Sequence, residues 1–124
     1  MKNLKIKFKN KQGQELAAKI EFPVEEPKSF ALFAHCFTCN KNLTAIRNIS
    51  RELNKCGIAV FSFDFTGLGE SEGDFENTNF SSNVKDLISA ADYLKNNYTA
   101  PEIIIGHSLG GAAVIFAANH IPSC

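Results

Sequence analysis

Apolar and polar residues alternate strictly at the start of the chain. Leu4, Ile6 and Phe8 fall on one face of an extended segment, and Leu16, Ala18, Ile20 and Phe22 on one face of a second, with the turn-forming "NKQGQ" between them. A period of two with a single apolar face predicts an antiparallel hairpin half open to water. Beyond a linker with two prolines, "PVEEPKS", the segment "FALFAH" is apolar throughout, as a strand covered on both faces would be. From Leu43 the spacing changes to three and four, through Ile46, Ile49, Leu53 and Cys56, with Gly57 where a helix C-cap belongs.

The alternation of element types then continues. "IAVFSFDF" predicts a strand and "TGLGESEGDFENTN" a long loop; Ser81 or Ser82 can cap a second helix whose apolar face is Val84, Leu87, Ile88, Ala91 and Leu94. "EIIIG" reads as a third buried strand, and a third helix runs from about Leu109 to Asn119. The class is α/β: a leading antiparallel hairpin, then parallel βαβ units with right-handed crossovers and helices on both faces of the sheet. No repeat, low-complexity tract or internal domain boundary interrupts the 124 residues.

Composition acts mainly by exclusion. The chain is 44% hydrophobic and 21% charged, and its thirteen basic and thirteen acidic residues cancel, so no strong overall field favours nucleic acid or an anionic membrane. The start, "MKNLKIKFKNKQG", is basic but lacks the continuous apolar run of a secretory signal, and no run approaches the roughly twenty apolar residues of a membrane span. A cytoplasmic location is expected. Four cysteines, Cys36, Cys39, Cys56 and Cys124, are then expected as thiols rather than as a disulfide framework.

The segment with the most chemical content is "IIIGHSLGGAA". Gly106-His107-Ser108-Leu109-Gly110 has the form G-x-S-x-G, between the third strand and the third helix. At so sharp a corner the serine takes a strained backbone conformation, and side chains two residues before and after would collide, which requires glycine at 106 and 110. The strain lifts the hydroxyl above the carboxyl edge of the sheet, and the following helix N-terminus supplies free N–H groups and partial positive charge. Ser108 is the expected nucleophile, with the Leu109 N–H directed at the oxyanion formed on attack.

These features resemble the N-terminal half of an α/β-hydrolase-fold serine hydrolase. "LFAHCFT" occupies the place where that family carries its oxyanion loop, and the resemblance makes the Phe37 N–H the second donor, with His35 supporting the loop; Cys36 stands where glycine is common. "DFTGLGES" is similar to the family's Asp-x-x-Gly-x-Gly-x-Ser turn, which implies a structural role for Asp64, Gly67 and Gly69. More narrowly, "AHCFTCNKN", "FDFTGLGESEGDF", "TNFSSNV" and "GHSLGGAA" resemble the hydrolase portion of bacterial proteins in which an α/β-hydrolase is fused to an OsmC-like domain. That resemblance implies an OsmC-like domain C-terminal to the hydrolase, a small-molecule acyl substrate, and neither metal nor organic cofactor.

In this fold the acid and the histidine follow the serine. No Asp or Glu follows Ser108, and His120, twelve residues along a helix, would be roughly 18 Å away. His107 is expected to point away from the hydroxyl, and Asp64, Asp74, Asp86 and Asp92 precede the serine and are most simply solvated charges. The expectation is that residues 1–124 are the N-terminal part of a single hydrolase domain, truncated after the nucleophile helix, with base and acid beyond Cys124.

Two other classes compete. Cys36-Phe37-Thr38-Cys39 has the C-x-x-C form of a thiol redox module, and His35, Cys36 and Cys39 offer three zinc ligands without an evident fourth. The other is a non-catalytic hydrolase-like protein. As a dinucleotide loop, the glycines at 67, 69 and 73 miss the required G-x-G-x-x-G spacing.

Overall fold

A computed structural model describes residues 2–11, 13–34, 44–65, 71, 80–106, 117 and 121. In chain order its elements are β1 (Lys2–Lys9), β2 (Glu15–Phe22), β3 (Ser29–Ala34), α1 (Thr44–Lys55), β4 (Ile58–Phe63), α2 (Phe80–Asn97) and β5 (Ile103–Gly106). They build one five-stranded sheet in the order β1-β2-β4-β3-β5.

The hairpin forms in the register that alternation predicts, with Leu4 opposite Ile20, Ile6 opposite Ala18 and Phe8 opposite Leu16. Gly13 closes the turn at φ +80°, a conformation that costs side-chain-bearing residues energy, and Asn10 accepts from the Gln14 N–H through its side-chain oxygen at 3.0 Å. The expectation of a half-open hairpin holds for β1 and fails for β2. On β2 the supposed solvent face, Ala17, Lys19 and Glu21, is buried, because β2 also pairs with β4 and lies partly beneath α1. Lys19 and Glu21 are buried together as an ion pair at 3.3 Å.

β3 lies between β4 and β5 and is parallel to both. From β3 the chain crosses to β4 on one side, then from β4 past β3 to β5 on the other. Two crossovers of one hand that run in opposite directions must use opposite faces of a sheet, and the packing follows. Leu87, Ala90, Ala91 and Leu94 of α2 pack with Phe30, Leu32, Phe61 and Phe63. On the other face Leu53 of α1 packs with Ala31, Phe33 and Val60. Ala117 and Ile121 join the α2 side; the remainder of the expected third helix lies outside the described residues.

Three expectations need correction. Ile49 is 38% exposed and Cys56 is an exposed free thiol, whereas Ser50 and Asn54 are buried. The stripe of α1 that meets the sheet is therefore rotated by one residue from the one apolar spacing picks out. The cause is polar: Asn54 Nδ2 donates to the carbonyls of Glu21 (3.0 Å) and Ile58 (2.7 Å), which docks the helix end on two strands at once. The C-cap itself is as expected, with Gly57 at φ +81° and its N–H donating to the Asn54 carbonyl at 3.0 Å. Secondly, α2 starts at Phe80, so Ser81 and Ser82 lie inside its first turn rather than before it; serine costs a helix little there and does not mark its boundary. Thirdly, Asp64 and Asp86 are buried rather than solvated, and Asn10 Nδ2 donates to Asp86 Oδ1 at 3.3 Å. Asp92 is exposed and pairs with Lys11; Asp74 is outside the described residues.

The end of β4 is clamped to β2. Asp64 N–H donates to the Ala17 carbonyl at 2.9 Å, while the Ser71 hydroxyl accepts from Ala17 N–H at 2.9 Å and donates to the Asp64 carbonyl at 2.5 Å. Both ends of the 64–71 loop are thereby tied to one residue of the hairpin.

Two substitutions test these contacts by urea denaturation. Asn54→Ala leaves two carbonyls without their donor and lowers stability by about 1–3 kcal/mol, while Ile49→Ala stays within about 0.5 kcal/mol. Ser71→Ala strips the Ala17 N–H and the Asp64 carbonyl of a partner and also costs about 1–3 kcal/mol, where Ser71→Thr, which keeps the hydroxyl, costs less.

Candidate active site

The three parallel strands end level. Ala34 pairs with Phe63 on one side and with Gly106 on the other, so the loops that begin at residues 35, 64 and 107 leave one edge of the sheet from adjacent strands. That edge is the carboxyl end of the parallel strands, the place where open α/β sheets bind ligands. The loop after β3 leads to α1 on one face, whereas those after β4 and β5 lead to the other face, where α2, Ala117 and Ile121 pack. Neighbouring connections that depart to opposite faces mark the switch point at which open α/β sheets place a ligand crevice.

Each site residue read from the sequence can be located against this frame. Gly106 is the last residue of β5 and is exposed. Asp64 is fully buried just past the end of β4. Ser108, Leu109, Gly110, Phe37, His35, Gly67 and Gly69 lie outside the described residues, as do Cys36, Cys39, His107 and His120. Covalent geometry alone keeps Ser108 within about 7 Å of Gly106, and Phe37 within about 11 Å of Ala34, since a fully extended chain spans at most ~3.6 Å per residue. Serine and oxyanion loop are thus tethered to paired strands, whose backbones run roughly 5 Å apart.

Below the crevice the support is rigid and apolar. Phe65 is fully buried and its ring lies 4.9 Å from that of Phe63, at an interplanar angle of 60°. Asp64 has its backbone engaged through Ala17 and Ser71, so its position agrees with a residue that holds a turn. Apart from Asp64, sequence reasoning passed over Ser71, whose hydroxyl closes the loop. The signal was present, as Ser71 ends the Asp-x-x-Gly-x-Gly-x-Ser pattern, but spacing does not say which backbone groups a hydroxyl will serve.

Comparison with known proteins agrees with this geometry. A family model for serine aminopeptidase, S33, matches residues 25–124. Human monoglyceride lipase is 29% identical over 115 residues, which are 91% of this chain and 37% of the lipase. The bovine mitochondrial palmitoyl-protein thioesterase ABHD10 is 32% identical over 87 residues, 70% of this chain and 28% of the thioesterase. The crystal structure of the esterase domain from a Rhodothermus marinus protein superposes with a TM-score of 0.81 at 47% identity, covering 99% of this chain and 47% of that one. The chain therefore spans less than half the length of these relatives. A strand order that ends β5 at Gly106 beside the end of β3, and a family match over residues 25–124, lead to one conclusion: the chain belongs to the serine aminopeptidase S33 family of α/β-hydrolases.

Proposed function

We propose that the whole protein hydrolyses an acyl ester or thioester by attack of Ser108 on the carbonyl carbon. The observation that carries this reading is the position of Gly106: the elbow glycine is the last residue of β5 and lies level with Ala34, from which the oxyanion loop departs. Attack forms the bond from Ser108 Oγ to the carbonyl carbon and moves the carbonyl electron pair onto oxygen, where the N–H groups of Leu109 and Phe37 receive it. A single such donor contributes on the order of 3 kcal/mol to the transition state. A base takes the serine proton and delivers it to the leaving alkoxide or thiolate, and water then releases the acyl group by the same route.

The base and its partner carboxylate belong, in this proposal, to residues beyond Cys124. Two observations support it. No acidic residue follows Ser108. Ile103, Ile104 and Ile105 are only partly buried, in a strand paired on one side among the described residues, and a further strand at that edge would both cover them and extend the site. The relatives' names support carboxylic esters and thioesters, one being a monoglyceride lipase and another a palmitoyl-protein thioesterase, and the family's description, serine aminopeptidase, supports amide cleavage as a second reading. An OsmC-like domain after the hydrolase, a cytoplasmic location and freedom from metal and organic cofactor complete the proposal. Among the described residues no helix is long and apolar enough to cross a membrane.

A thiol redox reading finds less support, since α1 as described begins at Thr44, five residues past Cys39, where a C-x-x-C that draws on a helix N-terminus would abut it.

Reaction of the full-length protein with a fluorophosphonate probe tests the proposal. Labelling is expected on Ser108, and Ser108→Ala is expected to abolish it and to lower turnover of a p-nitrophenyl ester by roughly four to six orders of magnitude. Labelling that survives Ser108→Ala, or iodoacetamide capture at Cys36 with no serine labelling, would refute it.

A further inference from the structure

The basic segment at the start of the chain has no part in the hydrolase chemistry. Five lysines, Lys2, Lys5, Lys7, Lys9 and Lys11, occur within the first eleven residues with no carboxylate among them. Without those five, a chain of thirteen basic and thirteen acidic residues is left with a net charge of −5, so the neutral total conceals a concentrated positive strip. The strip lies on β1, which ends the described sheet and is hydrogen-bonded only to β2 there. Its outer side presents main-chain N–H and C=O groups that an added strand could pair.

Side-chain alternation sorts β1 into two rows. Ile6 and Phe8 pack toward the α2 face, while Lys5, Lys7 and Lys9 form the opposite row and are exposed. Lys11 pairs with Asp92 at 3.6 Å, and Lys5, Lys7 and Lys9 have no ion-pair partner among the described residues. Next to this edge is a groove of about 410 Å³, with the Lys7–Lys11 stretch on one side and Ser89, Asp92, Tyr93 and Asn96 of α2 on the other. Ser89 is 7% exposed and lines the inner wall of the groove. Burial in the first place, and Tyr98 in the second, raise the Tyr93 phenol above its usual value, which keeps it a donor. Of the two carboxylates at the groove, Asp92 is paired with Lys11 and Glu15 lies opposite Lys9 in the hairpin register.

We propose that this edge binds an acidic, extended segment of another protein, added to β1 as a further strand with its carboxylates along Lys5, Lys7 and Lys9. Charge decides between this occupant and a second copy of the chain. Pairing β1 with another β1 would set two lysine rows side by side, the arrangement by which edge strands repel their own kind. A strand with glutamates at alternate positions meets the same row with opposite charge, and main-chain hydrogen bonds supply the affinity. The proposal is independent of Ser108 and of the ester chemistry.

A fluorescein-labelled peptide of alternating glutamate and threonine, titrated into the full-length protein at low salt, reads binding by anisotropy, with amide hydrogen exchange recorded in parallel. Saturable binding is expected, with slower exchange confined to β1 amides. Lys5→Glu/Lys7→Glu is expected to weaken it by about tenfold or more while its ester hydrolysis stays at the wild-type rate. Equal binding of the double variant, equal binding of a peptide with lysine in place of glutamate, or binding without slowed β1 exchange would each overturn the proposal. Preferential capture by anionic phospholipid vesicles would overturn it too, since that would assign the strip to a membrane surface. Absence of binding would do the same.

Discussion

The structure depends on the level ending of three parallel strands. Ala34, Phe63 and Gly106 occupy one row of the sheet, so the segments proposed to carry the oxyanion donor and the nucleophile leave, with that of Asp64, from one line of backbone. Parallel pairing makes that line a consequence of register rather than of any side chain in the site. A slip of one residue in β5 would reverse its faces, exchanging Ile104, which packs with the α2 side, for Ile103 and Ile105, which pack with the α1 side. The apolar cost of that exchange holds Gly106 level with Ala34.

The two faces supply that resistance unequally. The α2 face carries the aromatic mass, with Phe8, Phe61, Phe63 and Phe65 buried and Tyr93 5.8 Å from the ring of Phe8 and 5.9 Å from that of Phe61. Alanines at 90 and 91 let the helix approach this layer closely. The α1 face has a smaller apolar set, Ala31, Phe33 and Val60 with Leu53, Ile58, Ile103 and Ile105, and adds buried polar groups: the Lys19–Glu21 pair and the Asn54 amide. Hydrophobic burial on one side is indifferent to small displacements. The directed bonds of Asn54 on the other are not, so α1 has one seat.

Elements that answer to periodicity alone were legible in the sequence. The Leu4, Ile6 and Phe8 alternation defined β1 and its register, unbroken apolar runs marked β3 and β4, and Gly57 marked the end of α1. What escaped was polar. Ile49 and Cys56 fit an apolar stripe, yet the helix turned Ser50 and Asn54 inward because an amide that satisfies two strand carbonyls outweighs the burial of one more side chain. Lys19 and Glu21 looked solvent-facing because alternation cannot tell an edge strand from one with neighbours on both sides. Asp86 resembled a surface charge until Asn10, seventy-six residues earlier, supplied its donor. In each case the deciding partner is distant in sequence, and local pattern has no access to it. Of the candidate site, the strand ends were legible, since β5 ends at Gly106 and β4 just before Asp64; the roles of the residues there rest on partners that local pattern does not name.

Ala17 shows how the antiparallel hairpin comes to bear on a site built from parallel strands. Its carbonyl receives the Asp64 N–H, and its own N–H is bound by Ser71, whose hydroxyl returns to the Asp64 carbonyl. One residue of β2 thus fixes both ends of a loop that leaves the sheet beside the end of β3. Asp64 and Ser71 cannot part from Ala17 without breaking these three hydrogen bonds. The hairpin contributes no residue to the proposed chemistry. Its contribution is to anchor, through one residue of an antiparallel strand, the two positions between which the chain leaves and rejoins the described sheet edge.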